Sequence, residues 1–420
     1  MALTRREFIQ TGAAAGVSVA FFSAKTRADA SPGRSLVVVQ MFGGNDTLNT
    51  FIPYSDSRYR QARPTLAIPE SAMLPVDGTF AFHPSLARLV PFYQKKKFAF
   101  ITDLGFPSFD RSHFYCADVW NYGFEGVSSS PTGWLGRFAD LYLPSTSPLT
   151  SIAIGTRVPN GIVARNATPS TIVDLDSFDI DVMQTDVAER SRFIAAAPSL
   201  YSTPRSGNDE EFIRNAGGTM LRTIDLLKTV PPAANVDYPD TDLGRAMRIV
   251  AQTIAANVGT TIAWVTIGGF DFHSLQVALP TSGGSAAGFH ARLLANVAGS
   301  LAAFQEELEL RKIDDRVLTF AWSEFSRRVA ENASLGTDHG KASTAMILGS
   351  GVKGGMCYGG APDLGNLDDG DLRTKTDFRS VYATIIRDWF GHDPLPVLNH
   401  DYENLGFIER ASGRRRGARH

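Results

Sequence analysis

Residues 314–343, DDRVLTFAWSEFSRRVAENASLGTDHGKAS, decide how the chain is read. Arg316–Trp322 is a mostly apolar run of strand length, and it breaks into Ser323, Glu324, Arg327 and Arg328 where a parallel strand would end. In an open α/β sheet that edge binds ligands. Asp338 and His339 come next, between Gly336 and Gly340, whose backbone freedom would let two adjacent side chains converge on one point. A carboxylate beside an imidazole suits a divalent cation, although a capped turn in a glycine-rich loop would account for the pair equally simply.

The same arrangement recurs on either side. Ser35–Phe42 (SLVVVQMF) reads as a buried strand and runs into Gly43-Gly44-Asn45-Asp46, placing Asp46 at the carboxyl edge of the sheet. Thr260–Ile267 (TTIAWVTI) is β-branched and buried, and it ends in Gly268-Gly269-Phe270-Asp271-Phe272-His273. Asp271 and His273 are two apart, so on extended backbone both point the same way. One acidic group behind a strand is a turn; its recurrence behind separate strands points to one site. A further strand, Lys97–Thr102, leads through Arg111, Ser112 and His113 into a segment that reads as a helix to Trp120. Ser112 has the place of a nucleophile or phosphate-contacting hydroxyl among free amide groups, or of a plain helix cap. Arg111 beside it is either an anion clamp or a surface ion pair.

Arg245–Val258 and Phe289–Lys312 are amphipathic helices, the second with Leu293, Val297, Leu301, Phe304 and Leu308 on its inner face. Thr344–Leu348 is a short strand and Thr376–Phe390 a final helix. Between about residues 123 and 242 the chain turns rich in Pro, Ser, Thr and Asp, broken by helix-like pieces at Asp186–Ala196 and Asn208–Leu227. It reads as a large insertion that carries selectivity or partner contacts.

With 41 basic against 43 acidic residues, no global field favours nucleic acid, which is excluded as the main partner. Residues 1–30 read as a signal peptide: the twin-arginine pattern Thr4-Arg5-Arg6-Glu7-Phe8-Ile9, an apolar run from Thr11 to Phe22, then Ala28-Asp29-Ala30. The run is too short for a transmembrane helix, which needs about 20 residues. The twin-arginine export machinery is therefore an expected partner, and the periplasm or the cell exterior the expected destination. A single α/β domain is expected over residues 31–410, and residues 411–420 as a basic tail. Cys116 and Cys357 stand open between a disulfide and two free thiols.

The set Gly43-Gly44-Asn45-Asp46, Arg111-Ser112-His113-Phe114, Gly269-Phe270-Asp271-Phe272-His273, Ser323-Glu324-Phe325, Gly336-Thr337-Asp338-His339-Gly340 and Thr376-Asp377-Phe378-Arg379 resembles the twin-arginine-exported domain-of-unknown-function family 1501. That family is grouped with the alkaline phosphatase-like superfamily. The resemblance implies a three-layer αβα fold with a mixed, mostly parallel central sheet and divalent metal at the strand ends. It further implies that Asp46, Asp338 and His339 hold one ion and Asp271 and His273 part of a second, with Ser112 attacking and Arg111 on the non-bridging oxygens. The ion would be zinc, manganese, calcium or magnesium. Lys341 stands where many relatives have another His, and its ammonium would replace a metal charge or contact the substrate anion. The chain departs from the pattern in two respects: Asp271 and His273 are closer together than Asp-x-x-x-His, and no histidine falls between His339 and His392.

Two functions are expected in consequence. The first is an exported metal-dependent hydrolase or transferase of phosphate or sulfate esters. The second is a non-catalytic exported protein that keeps the fold and at most one structural metal, and binds a protein partner or surface polysaccharide, partly through the insertion.

Overall fold

In the computed structural model, residues 33–126, 131–143, 147–175, 208–277 and 281–409 are described, together with the single residues 192 and 196. The expected signal peptide, the helix-like piece Asp186–Ala196 apart from those two residues, and the basic tail lie outside them. Among the described residues, no helix is long and apolar enough to cross a membrane.

Continuous runs of β-branched and aromatic residues give strands buried on both faces, as in a parallel sheet with helices on either side. The main-sheet strands are β1 (Ser35–Met41), β2 (Phe98–Gly105), β3 (Ser151–Ile154), β4 (Ser170–Ile172), β5 (Ile262–Ile267), β6 (Val317–Trp322), β7 (Ser343–Leu348), β8 (Cys357–Tyr358) and β9 (Thr376–Asp377). Their order is β8-β2-β7-β6-β1-β5-β3-β4, with β9 also paired to β2. Among the described strands of this sheet only β7 is antiparallel to its neighbours, β2 and β6. The expected mixed, mostly parallel sheet is therefore present.

Successive residues of β1 face opposite layers. Val37, Val39 and Met41 join one apolar cluster with the helices α4 (Asp242–Ala255) and α5 (Phe289–Leu310). Leu36 and Val38 join the other, with α1 (His113–Tyr122), α2 (Trp134–Tyr142) and α6 (Arg379–Thr384). Each such fully buried Val or Leu side chain is worth about 1.5–3 kcal/mol. The remaining long helix, α3, is Asn208–Leu227.

Two expectations are revised. The stretch read as an insertion supplies α2, β3 and β4, and β3 pairs in register with β5, so that part of it belongs to the central sheet. The final helix starts only at Arg379, because Thr376–Asp377 pairs with β2 and Asp377 accepts the Arg379 N–H. Both cysteines are free thiols.

Parallel pairing brings the carboxyl ends of β1, β5 and β6 together: Met41 lies opposite Ile267, and Gln40 opposite Trp322. Just past the strand end, Gly43, at φ 123°, makes a close approach between loops. A Cβ there would stand 2.7 Å from the backbone nitrogens of Phe270 and Asp271.

Beneath this edge His83 is fully buried; its Nε2 lies 2.8 Å from the Ser285 carbonyl, and its Nδ1 accepts the Ser85 N–H at 3.0 Å. Burial lowers its pKa to about 4. Because the unfolded chain takes up this proton near pH 6.5, stability is full above that pH and falls between about 6.5 and 4. His83 alone should cost about 2 kcal/mol on going from about pH 7 to pH 5. Urea unfolding of wild type and His83→Asn at both pH values checks this. The loss should be smaller in the variant, and equal losses would refute the assignment.

Candidate metal centre

The exit loops of β1, β5 and β6, the β6–β7 connection and the N-terminus of α1 meet at the carboxyl edge. His113 is the first residue of α1, whose N-cap is Ser112. Its Nδ1 lies 2.6 Å from Glu324 Oε1, an oxygen that also accepts the Gly43 N–H at 2.8 Å. His273 sets Nδ1 at 3.3 Å from Asp338 Oδ1, and His339 sets Nδ1 at 2.8 Å from the Arg111 carbonyl. Ionised carboxylates and carbonyls only accept, so each Nδ1 carries the hydrogen and each Nε2 keeps a lone pair.

Those lone pairs converge. His339 Nε2 lies 3.0 Å from His113 Nε2, 2.8 Å from His273 Nε2 and 3.2 Å from Asp271 Oδ1. Asp271 Oδ1 is also 3.1 Å from His273 Nε2, and its Oδ2 is 3.4 Å from His113 Nε2. Three nitrogen lone pairs and a carboxylate at such separations repel unless a cation lies among them. Tetrahedral bonds of about 2.0–2.2 Å would set the donors about 3.3–3.6 Å apart. His113, Asp271 and His339, whose ligand atoms all lie within 4.8 Å of one another, fit a metal ion, with His273 beside them against His339 and Asp271. The oxygens behind each Nδ1 are the outer partners that metal-bound histidines use.

Asp271 is held in place from below. The Arg327 guanidinium, 1% exposed, donates to Asp271 Oδ1 at 2.7 Å, to the carbonyls of Gly44 (2.7 Å), Thr337 (3.1 Å) and Phe270 (3.2 Å), and to that of Gly43. Partial burial raises the Asp271 pKa, but Arg327 and the neighbouring imidazoles outweigh it and hold the carboxyl down to about 2. Burial, assisted by Arg327, lowers the pKa of His339.

Of the residues singled out in the sequence, the structure brings Asp271, His273 and His339 together. It does not bring Asp46 to them. Asp46 is 1% exposed, caps a single helical turn (Thr47–Thr50), and binds Arg63 Nη1 at 2.6 Å and Gln276 Nε2 at 2.6 Å. Asp338 is not in the cluster either; its carboxylate takes His273 Nδ1 and, at 3.1 Å, Asn332 Nδ2. The expected convergence of Asp338 and His339 is therefore not realised. Gly336 and Gly340 serve close approach instead, since a Cβ on either would stand within 2.4 Å of the backbone of His273 or Arg327.

Ser112 Oγ accepts the Tyr115 N–H at 3.3 Å as a helix cap. Arg111 is paired with Asp371 at 2.7 Å and Asp369 at 3.5 Å, and Lys341 with Asp368 at 3.1 Å, so neither cation is free for an anion as drawn from the sequence. Sequence reasoning passed over His113 and Glu324 as site residues. The signal was there: a histidine opening the helix behind one strand, and an acid directly behind another.

No curated protein matches the sequence. Solved structures similar to it include Ps i-CgsB in complex with k-i-k-neocarrahexaose, at 10% identity and TM-score 0.41, covering 89% of this chain and 75% of that one. The PsFucS1 sulfatase from Pseudoalteromonas sp. is 11% identical, with TM-score 0.37, over 86% of this chain and 68% of that one. The alkaline phosphatase from the Antarctic bacterium TAB5 is 10% identical, with TM-score 0.32, over 78% of this chain and 94% of that one. Residues 228–391, which carry Asp271, His273, Glu324, Arg327 and His339, match the family model described as protein of unknown function (DUF1501).

Proposed function

We propose that the protein is a metal-dependent hydrolase or transferase of phosphate or sulfate esters. The observation that carries the metal is the convergence of the Nε2 atoms of His113 and His339 on the Asp271 carboxylate, with His273 Nε2 beside them. The ester class rests on the sequence resemblance to the alkaline phosphatase-like superfamily. A donor set richer in imidazole than in oxygen suits zinc and its neighbours, whereas magnesium and calcium take oxygen shells.

When bound, the ion supplies Lewis-acid stabilisation of the charge that develops on an ester oxygen. The protein's own residues hold and orient. Glu324 and Asp338 fix the imidazole rings of His113 and His273, and the Arg111 carbonyl fixes His339. Ser112, half-buried at the N-terminus of α1 and next to His113, is the candidate nucleophile. Its Oγ would bond to phosphorus or sulfur as the ester oxygen leaves, the serine's proton ending on that oxygen; water or a second alcohol would then take the group and give its own proton back to the serine.

One observation favours a second reading, a non-catalytic protein with a structural metal that binds a partner or polysaccharide. The two cations that the sequence offers for a substrate anion, Arg111 and Lys341, are already countered by Asp371 and Asp368. The zinc-loaded full-length protein should hydrolyse aryl phosphate or aryl sulfate esters, and Ser112→Ala should abolish turnover. Glu324→Gln should cost about 10–100-fold in metal affinity or activity by freeing the His113 ring. No turnover across phosphate mono- and diesters and sulfate esters, with metal bound at full occupancy, would sink the first reading and leave the second.

Export through the twin-arginine pathway to the periplasm or exterior is proposed on Arg5-Arg6 and the residues after them. Lysine at both positions should keep the protein in the cytoplasm of a host with that pathway; export of the variant would refute the assignment.

A further inference from the structure

Resting on the metal reading above, we propose that the centre takes one divalent ion and that two buried guanidiniums, those of Arg63 and Arg327, occupy the electrostatic role of a second. The carboxylates that would recruit another ion are already countered from inside the protein. Asp46, 1% exposed, has Arg63 Nη1 at 2.8 and 2.6 Å from its two oxygens. Its Oδ2 also accepts from Gln276. Asp371 is held by Arg111 at 2.7 Å. Glu324 is fully buried, with Oε1 on His113 and the Gly43 N–H and Oε2 on Ser323 Oγ at 3.2 Å.

The arginines are fixed in place. Arg63 is 0% exposed and donates also to Asn49 Oδ1 (2.9 Å), the Val329 carbonyl (2.8 Å) and the Arg328 carbonyl (2.9 Å). Arg327 spends its donors on carbonyls and on Asp271. Neither can swing aside to free a carboxylate without leaving buried carbonyls unpaired.

Charge gives the same answer. One divalent ion among three neutral imidazoles and Asp271 leaves a net positive charge, which Glu324 and Asp338 offset through the imidazole rings. A second divalent ion would add its charge beside the guanidinium already on Asp271. Among the described residues, His113, Asp271 and His339 are the one group of three or more His, Cys or acidic residues with ligand atoms close enough to share an ion; His273 lies beside it, 2.8 Å from His339.

The test is metal stoichiometry on the full-length protein purified without chelators and loaded with zinc, measured by elemental analysis. Cobalt titration, followed by its visible absorption, is run in parallel. Wild type should bind one equivalent, and the cobalt titration should break at one with the spectrum of a nitrogen-rich four-coordinate site. Asp46→Asn should keep that equivalent, and His113→Ala should lose it. Two equivalents in wild type, or loss of metal from a folded Asp46→Asn, would overturn the one-ion proposal while leaving the metal-dependent reading intact. Zero equivalents in zinc-loaded wild type would overturn both. If Asp46→Asn does not fold, the wild-type break point decides alone.

Discussion

The structure at the carboxyl edge depends on the Arg327 guanidinium. A buried charge is tolerable only when its donors are satisfied, and Arg327 satisfies its own with carbonyls of the β1 exit loop, the β5 exit loop and the β6–β7 connection, plus Asp271. The backbone must come to it. Gly44, at φ 72°, passes so close that a Cβ would meet the Phe325 ring at 2.5 Å. A lysine has no planar fork and could not gather these groups. The guanidinium thus sets the height of Asp271 relative to the imidazoles and keeps its carboxylate ionised.

Around that cation the outer partners divide the work. Glu324 joins the β1 loop to α1 by accepting both the Gly43 N–H and His113 Nδ1. Residues 326–328 and 338–340 pair backbone to backbone, with Gly340 N on Ser326 O and Arg328 N on Asp338 O, so His339 is held on both sides. Arg63, on another element altogether, grips the same segment through the Arg328 and Val329 carbonyls. The imidazoles are therefore oriented before any ion arrives, and little rearrangement is asked of binding.

Much of this could be read from the chain, for physical reasons. Long continuous apolar runs such as Ser35–Met41 and Val317–Trp322 declare buried parallel strands, and the residues directly after such strands must lie at one edge. That reasoning puts Asp271, His273 and His339 at the edge where their side chains meet. Strands of three or four residues, Ser170–Ile172 and Ser151–Ile154, carry too little periodicity to stand out from a Pro- and Ser-rich background, so they were absorbed into an insertion. Asp46 had the same position as Asp271 behind its strand, and only tertiary packing shows that one meets Arg63 and the other faces the imidazoles. His113 was hidden by its neighbour: the serine before it had the more familiar chemistry.

The antiparallel strand β7 bears on how the centre assembles. Because β6 turns back into β7 without crossing the sheet, Glu324 and His339 belong to one locally connected unit of low contact order that can pair early. His113 is separated from His339 by 226 residues, and it reaches the centre only when β2 and α1 have docked. An ion held by both ends would close that long loop, and it would be lost when either half detached. Metal release should therefore follow the kinetics of global opening rather than those of a surface loop.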